Sequence, residues 1–125
     1  MRLLIRLFEL YYDPALLTIY NSKKLDKKIV AEQLDRLRAG LSHITRYLKA
    51  GKYAVGGKLS LADCALMPPF LQTKLLFTSL GFGDPIAEDT IASAYYDATA
   101  TDAFVAPVLD AMTPPLKKWF GAIVV

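Results

Sequence analysis

Few side chains of this chain could carry chemistry on their own. Cys64 is its single cysteine and His43 its single histidine. One cysteine excludes an internal disulfide and a cysteine metal cluster, and one histidine cannot build a histidine metal site. The residues form no glycine-rich phosphate loop, and no serine–histidine–aspartate set can be argued from them. The sequence therefore predicts no catalytic residue, no metal site and no complete catalytic site.

Cys64 and His43 each have a structural interpretation beside the chemical one. Cys64 lies in the first turn of a predicted helix, where the positive end of the helix dipole favours a thiolate. Its spacing from Leu59, however, is that of a hydrophobic staple across a helix start. We therefore expect Cys64 to be buried, as an inert small hydrophobic residue. His43 has no titratable partner in the pattern, so we expect a surface or boundary residue.

Aromatic side chains are the other candidates for a site. The set comprises Tyr11, Tyr12, Tyr20, Tyr95, Tyr96 and Trp119. Their rings could line an apolar pocket and their polar groups could orient a ligand, although aromatics at helical spacing more often form core. Tyr11 and Tyr12 are the stronger candidates because they precede Pro14, which should kink or break the helix that carries them.

Ser60 and Asp63 have the spacing of a reciprocal capping box. The Ser60 oxygen can accept the amide of residue 63, and the Asp63 carboxylate can reach back to the amide of Ser60. A pair in this arrangement starts a helix and performs no chemistry. We assign both residues, with Gly57 before them, a structural role.

The hydrophobic pattern that must position these residues is helical. Apolar residues recur at helical spacing from Arg2 to Tyr20, and a narrow apolar stripe defines a long helix from about Leu25 to Lys49. The stripe consists of Val30, Leu34, Leu37, Leu41, Ile44 and Leu48. About three heptads after a short connection favour an antiparallel bundle over a coiled coil.

The second half of the chain contains further helical segments. A tight turn at Gly56–Gly57 precedes the capped helix, which continues to about Leu80. Pro68–Pro69 lie within this helix. Either packing compensates for the backbone donors that they lack, or they divide the helix into two pieces. A loop is predicted at Gly81–Pro85, followed by a weak helix at Ile86–Thr101 and a short helix at Asp102–Met112. Thr113-Pro114-Pro115 opens a last helix, which has Leu116, Trp119 and Phe120 on its apolar side. No strand pattern exceeds four residues. We expect an all-α helical bundle in one domain, residues 1–125.

Charge and hydropathy place the chain among small soluble proteins. Its 125 residues are 54% hydrophobic, yet no apolar run approaches the ~18 residues of a membrane span. Arg6 and Glu9 interrupt the apolar start, which argues against a signal peptide. The net charge of +3 divides into +7 for residues 1–58 and −4 for residues 59–125. A basic half could attract nucleic acid, but a solvated helix face is the commoner meaning. We expect a cytoplasmic protein without membrane or nucleic-acid partners.

Gly57-Lys58-Leu59-Ser60-Leu61-Ala62-Asp63-Cys64-Ala65-Leu66, followed by Pro69, resembles the signature of the glutathione S-transferase C-terminal domain. In that family a glycine and an S/T-x-x-D box begin the central buried helix. Glu9 to Pro14 resembles the family's first C-domain helix, and Leu25 to Lys49 resembles its second. Leu116 to Phe120 resembles a later helix. The resemblance covers residues 1 to about 85 and fits residues 86–125 less well.

The resemblance implies an all-helical fold and a division of labour. Members of the family bind and activate glutathione, the co-substrate, in an N-terminal thioredoxin-like domain, and nothing in this chain has that domain's βαβ pattern. The chain resembles the second half, which supplies the wall for an apolar electrophile. Carried over by position, the wall candidates are Arg6, Tyr11, Tyr12 and Gln72. By itself the chain is then expected to bind no cofactor and to be inactive.

Three functions remain open from the sequence. The first is the electrophile-binding half of a glutathione transferase, with Tyr11 and Tyr12 facing a pocket where a thioredoxin-like domain docks. The second is a non-catalytic helical interaction module, as a homodimer or hetero-complex through the first two helices. The third is nucleic-acid binding by the basic half, which no recognition motif supports.

Overall fold

The computed structural model describes residues 2–21, 26–48 and 50–122, and every regular element in them is helical. The elements are α1 (Arg2–Leu7), a π-helical turn (Phe8–Tyr12), α2 (Asp13–Asn21), α3 (Lys27–Thr45), α4 (Leu61–Ser79), α5 (Pro85–Glu88), α6 (Thr90–Thr99) and α7 (Val105–Gly121). The all-α prediction is confirmed. No described helix is both long and apolar enough to cross a membrane.

The first helix continues past Pro14, where a kink or a break was expected. Residues 2–21 are helical throughout, with the π-helical turn immediately before Asp13 and Pro14. The amide of Asp13 donates to the carbonyl of Phe8, five residues back. Such a widened turn lets the helix accept a residue that lacks a backbone donor. We call α1, the π-helical turn and α2 together the first helix.

The long second helix, α3, begins at Lys27, where the carboxylate of Asp26 accepts the amide of Ile29 at 2.8 Å. All six residues of the predicted stripe are buried. The helix ends at Thr45, earlier than predicted, and Leu48 reaches the core from outside it. The predicted limits Leu25 and Lys49 lie outside the described residues.

Gly40 sets how closely the first two helices pack. A Cβ atom added there would lie 2.1 Å from the carbonyl oxygen of Tyr11. That contact involves backbone on the π-helical turn, so α3 can approach it only where a residue has no side chain. The sequence pattern gave no separate signal for Gly40.

The centre of the molecule is α4, which packs against α1, α5, α6 and α7. Its buried residues cover more than half of its circumference, among them Leu66, Phe70, Leu76 and Phe77. This distribution is typical of a helix that packs against several others. Pro68–Pro69 lie inside it without dividing it, because its extensive packing compensates for the missing backbone donors.

The last third of the chain departs from the predicted boundaries. The helix expected at Ile86–Thr101 is divided at Asp89, whose extended backbone and carboxylate cap α6 by accepting the amide of Ala92 at 2.9 Å. The two helices expected after Asp102 are one, α7, and Pro114–Pro115 lie inside it rather than opening a new helix. The start of α7 is capped by Asp102, which accepts the amides of Phe104 and Val105.

Candidate functional site

Two of the wall candidates, Arg6 and Tyr11, lie on the outside of the first helix. The guanidinium of Arg6 lies 3.4 Å from the carboxylate of Glu9, and both side chains are mostly exposed. Tyr11 is 47% exposed, and its ring stacks on the ring of His43 with 4.5 Å between centroids. His43 is half-buried at the boundary, as expected.

The other two candidates, Tyr12 and Gln72, are occupied by contacts within the bundle. Tyr12 is fully buried, and its hydroxyl meets the hydroxyl of Thr73. Thr73 already donates its proton to the carbonyl of Pro69 at 2.8 Å, so Tyr12 is the donor. Gln72 accepts the hydroxyl of Tyr20 at 3.0 Å. The expectation that Tyr12 faces an open pocket is therefore wrong, because its position on the π-helical turn points the ring at α4.

Burial also decides the protonation of these phenols. Burial raises the pKa of Tyr12 far above its ordinary value, and burial likewise raises the pKa of Tyr20. The pKa of Tyr95 is raised by burial and then by its contact with the Asp63 carboxylate. These phenols stay neutral and act as hydrogen-bond donors inside the bundle.

Asp63 organises more of the fold than its capping role required. Both contacts of the capping box are present, and Oδ2 accepts the amide of Ser60 at 2.9 Å. The carboxylate is fully buried, and its Oδ1 also accepts the amide of Ala54 and the hydroxyl of Tyr95, each at 2.8 Å. One side chain thus ties α4, α6 and the preceding connection together.

Gly57 and its neighbour Gly56 differ in whether their backbone conformation requires glycine. Gly56 has φ +68°, a left-handed conformation that favours glycine. Gly57 lies outside that region, and an added Cβ would meet nothing within 4 Å. Within the predicted turn, the requirement for glycine falls on Gly56.

Tyr53 is a structural residue that the sequence pattern did not mark. Its φ of +70° is in the left-handed region, which is uncommon for a residue with a side chain. The amide of Tyr53 donates to Thr99 at 3.0 Å, and its hydroxyl donates to Asp102 at 2.6 Å. The hydrogen bond from Tyr53 is the main cause that lowers the pKa of Asp102. Tyr53 therefore fastens the connection before α4 to the junction of α6 and α7.

An apolar cavity of about 220 Å³ lies between the start of α4 and the start of α7. Met67 and Pro68 form part of one wall, and Val105, Val108 and Leu109 form part of the other. Leu59 and Cys64, the predicted staple pair, also line it, and Cys64 is exposed. The prediction that Cys64 is buried is wrong, because α7 leaves a space beside the thiol rather than covering it.

A second cavity, of about 210 Å³, lies between α3 and α5. Arg38 and Glu88 both line it and form an ion pair of 3.0 Å with each other. Arg38 and Glu88 neutralise each other, so this pair leaves no net charge in the cavity to attract a charged ligand. None of Arg6, Tyr11, Tyr12 and Gln72 lines either cavity. Among the described residues, no three His, Cys, Asp or Glu side chains are placed to hold a metal ion.

Comparison with known proteins gives one match. The family model described as "Glutathione S-transferase, C-terminal domain" matches residues 8–84, from the π-helical turn to the cap of α5. No curated protein and no solved structure gives a significant match. The matched region contains the capping box, α3 and α4, while α6 and α7 lie beyond it.

Proposed function

The chain belongs to the family of glutathione S-transferase C-terminal domains, and from this premise we propose that it is the apolar half of a glutathione transferase-like protein. In that role it provides the hydrophobic surface against which an apolar electrophile packs. A thioredoxin-like domain binds glutathione and activates its thiol. The observation that supports the proposal most directly is an exposed apolar surface on the first helix.

The first-helix surface consists of Leu3, Leu10, Tyr11 and Leu17. Each of these large apolar residues is 47–50% exposed. The three leucines recur every seven residues, which is about two helical turns. Exposed apolar residues that form one patch mark surfaces that bind something, and we propose that these four form such a patch. The surface lies on the helix to which the resemblance assigns the wall of the electrophile site.

The proposed reaction assigns this chain a binding role. The thiolate sulfur of glutathione forms a bond to the electrophilic carbon, and the leaving group departs with the electron pair. The first-helix surface removes the apolar part of the electrophile from water. Among the described residues Arg6 forms an exposed ion pair of little strength, which allows its side chain to turn toward an anionic leaving group.

Thiol activation is assigned to the other domain. The buried tyrosines of this chain have raised pKa values and no access to solvent at Tyr12 and Tyr95, so they cannot serve as thiol activators. The exposed thiol of Cys64 lies beside α7, away from the first helix. Neither arrangement offers a general base to a glutathione bound at the first-helix surface.

A second candidate function is a non-catalytic interaction module. Tyr12 and Gln72 are occupied within the bundle, which removes two of the four wall candidates from any site at the first-helix surface. A surface of that kind suits a protein partner, such as a second copy of the chain or a thioredoxin-like domain. This candidate uses the same residues but requires no small molecule.

Titration with S-(2,4-dinitrophenyl)glutathione, a conjugate that combines glutathione with an aromatic electrophile, tests the first candidate. We expect leucine methyl NMR signals of the first-helix surface to shift, and Leu10→Glu to abolish the shift. Leu61→Glu is the matched control, because Leu61 is a 65% exposed leucine on α4. If no shift occurs up to about 1 mM conjugate, the electrophile-binding proposal fails.

Light scattering of the same variants tests the second candidate. If the surface only mediates assembly, the chain is a dimer, Leu10→Glu gives a monomer, and Leu61→Glu leaves the mass unchanged. A monomeric wild-type chain that binds the conjugate would contradict the interaction module.

A further inference from the structure

The apolar cavity between α4 and α7 is separate from the first-helix surface. Its lining comes from Leu59, from α4 and from the start of α7, and no residue of the first helix contributes. Its volume is about 220 Å³. Two of its lining residues, Phe104 and Val108, are 76% and 50% exposed, so the cavity is open on that side.

The polar groups of the cavity exclude a charged occupant. Asp63 is the only charged lining residue described, and its two oxygens already accept Ser60, Ala54 and Tyr95. A cation would find no unoccupied carboxylate oxygen there, and an anion would meet a buried negative charge. Transfer of either from water would be unfavourable because no partner compensates for the lost hydration.

A backbone carbonyl near the cavity wall lacks its helical donor. Pro68 has no backbone N–H, so the carbonyl of Cys64, four residues earlier, lacks the donor that an α-helix normally supplies. Cys64 and Pro68 both line the cavity. A ligand with a single hydroxyl or N–H group could satisfy this acceptor.

The volume restricts the size of the ligand. A cavity of about 150 Å³ holds one benzene ring, whereas sites for drug-sized molecules begin at about 300 Å³. The observed volume lies between these values and fits one ring or two fused rings. The ring of Phe104 and the sulfur of Met67 are groups that make favourable contacts with aromatic rings.

We propose that this cavity is a binding site for a small neutral aromatic molecule of one or two rings that carries a hydroxyl or N–H group. The ring lies between α4 and α7, with Phe104 at the open side. The site requires neither glutathione nor a thioredoxin-like domain, so it stands or falls independently of the proposed function.

NMR of ¹³C-methyl methionine in the full chain, with 1-naphthol as the probe, tests the site. We expect the signal of Met67 to shift with saturation and that of Met112, which does not line the cavity, to shift far less. Naphthalene-1-sulfonate has the same rings with a negative charge, and we expect it to give no saturable shift of Met67. Cys64 is the single thiol, so we also expect 1-naphthol to slow its alkylation by N-ethylmaleimide.

A pair of variants locates the binding. Val108→Trp fills the cavity from a half-exposed position, so we expect 1-naphthol to bind about tenfold or more weakly. Tyr47→Trp places the same ring at a similarly exposed position that belongs neither to the cavity lining nor to the first-helix surface, and binding should be unchanged. The absence of a Met67 shift, equal shifts with the sulfonate, or equal affinity in Val108→Trp would each overturn the proposal.

Discussion

At the scale of the residue, Asp63 shows how one carboxylate serves both local and distant structure. Its bond to the Ser60 amide follows from sequence spacing alone, since three residues separate donor and acceptor. Its bonds to Ala54 and Tyr95 join segments 9 and 32 residues away. Only the folded chain brings these donors to the same oxygen.

Removal of the Asp63 carboxylate is therefore expected to cost much more than the loss of a helix cap. Asp63→Ala leaves the Ala54 amide and the Tyr95 hydroxyl buried without an acceptor, at about 1–3 kcal/mol each. We expect a loss of about 4 kcal/mol in the free energy of unfolding, measured by urea denaturation, and about 2 kcal/mol for the isosteric Asp63→Asn.

Asp110→Asn, at an exposed position of α7, is the control and should change stability by less than about 0.5 kcal/mol. A loss of only about 1 kcal/mol in Asp63→Ala would mean that Asp63 acts as a cap alone.

Cys64 illustrates the limit of local reasoning about a residue. Leu59 and Cys64, the predicted staple pair, both line the same cavity. Their spacing says nothing about the third element that would cover them. Whether the thiol is buried depends on how α7 docks, and α7 leaves it exposed.

At the scale of the element, the contact between α3 and the π-helical turn depends on Gly40. Glycine inside a helix ordinarily costs about 1 kcal/mol relative to alanine. Here the absent side chain allows the Tyr11 backbone to approach, and that approach places Tyr12 against α4.

Gly40→Ala is expected to destabilise the chain although alanine is the better helix former. The added Cβ would overlap a backbone oxygen that cannot rotate away, so the two helices must separate. We expect a loss of about 3 kcal/mol in the free energy of unfolding, by urea denaturation. Gly57→Ala, where the Cβ meets nothing, should change stability by less than about 1 kcal/mol. A stabilised Gly40→Ala variant would show that the helices are not in tight contact.

Helix boundaries near proline were the least predictable feature of the elements. Pro114–Pro115 were expected to open a helix, because proline is favoured in a first turn. The helix instead begins at Val105, where Asp102 caps it, and Leu109 and Phe120 anchor it on the core. Capping and burial at its ends outweigh the prolines between them.

At the scale of the whole molecule, buried phenols couple stability to alkaline pH. The pKa values of Tyr12, Tyr20, Tyr95 and Tyr96 are raised chiefly by burial, that of Tyr96 to about 12. Below pH 10 these groups are protonated in both the folded and the unfolded chain, so their contribution to stability is fully present. Above pH 10 the unfolded chain releases protons that the folded chain retains, and stability falls.

We expect each tyrosine that stays protonated in the folded chain to lower the free energy of unfolding by about 1.4 kcal/mol between pH 8 and pH 11. Tyr12→Phe should lower the free energy of unfolding by about 1 kcal/mol at pH 7, because its hydrogen bond to Thr73 is lost. The free energy of unfolding of this variant should then fall less steeply at alkaline pH. Urea denaturation across this pH range measures both effects. Tyr47→Phe, at a 56% exposed position, is the control, and an unchanged decline in Tyr12→Phe would contradict the assignment.

The sequence by itself determined the features that rest on short-range periodicity: the helical class, the buried stripe of α3, the start of α4 at Ser60, and the family to which residues 8–84 belong. Tertiary structure alone decided the features that depend on which elements meet. It buried Tyr12 and left Tyr11 outside, exposed Cys64 beside α7, and brought Ala54 and Tyr95 to Asp63. The physical reason is that spacing along a helix specifies which face a residue occupies, whereas the partner of that face is selected by packing between distant segments.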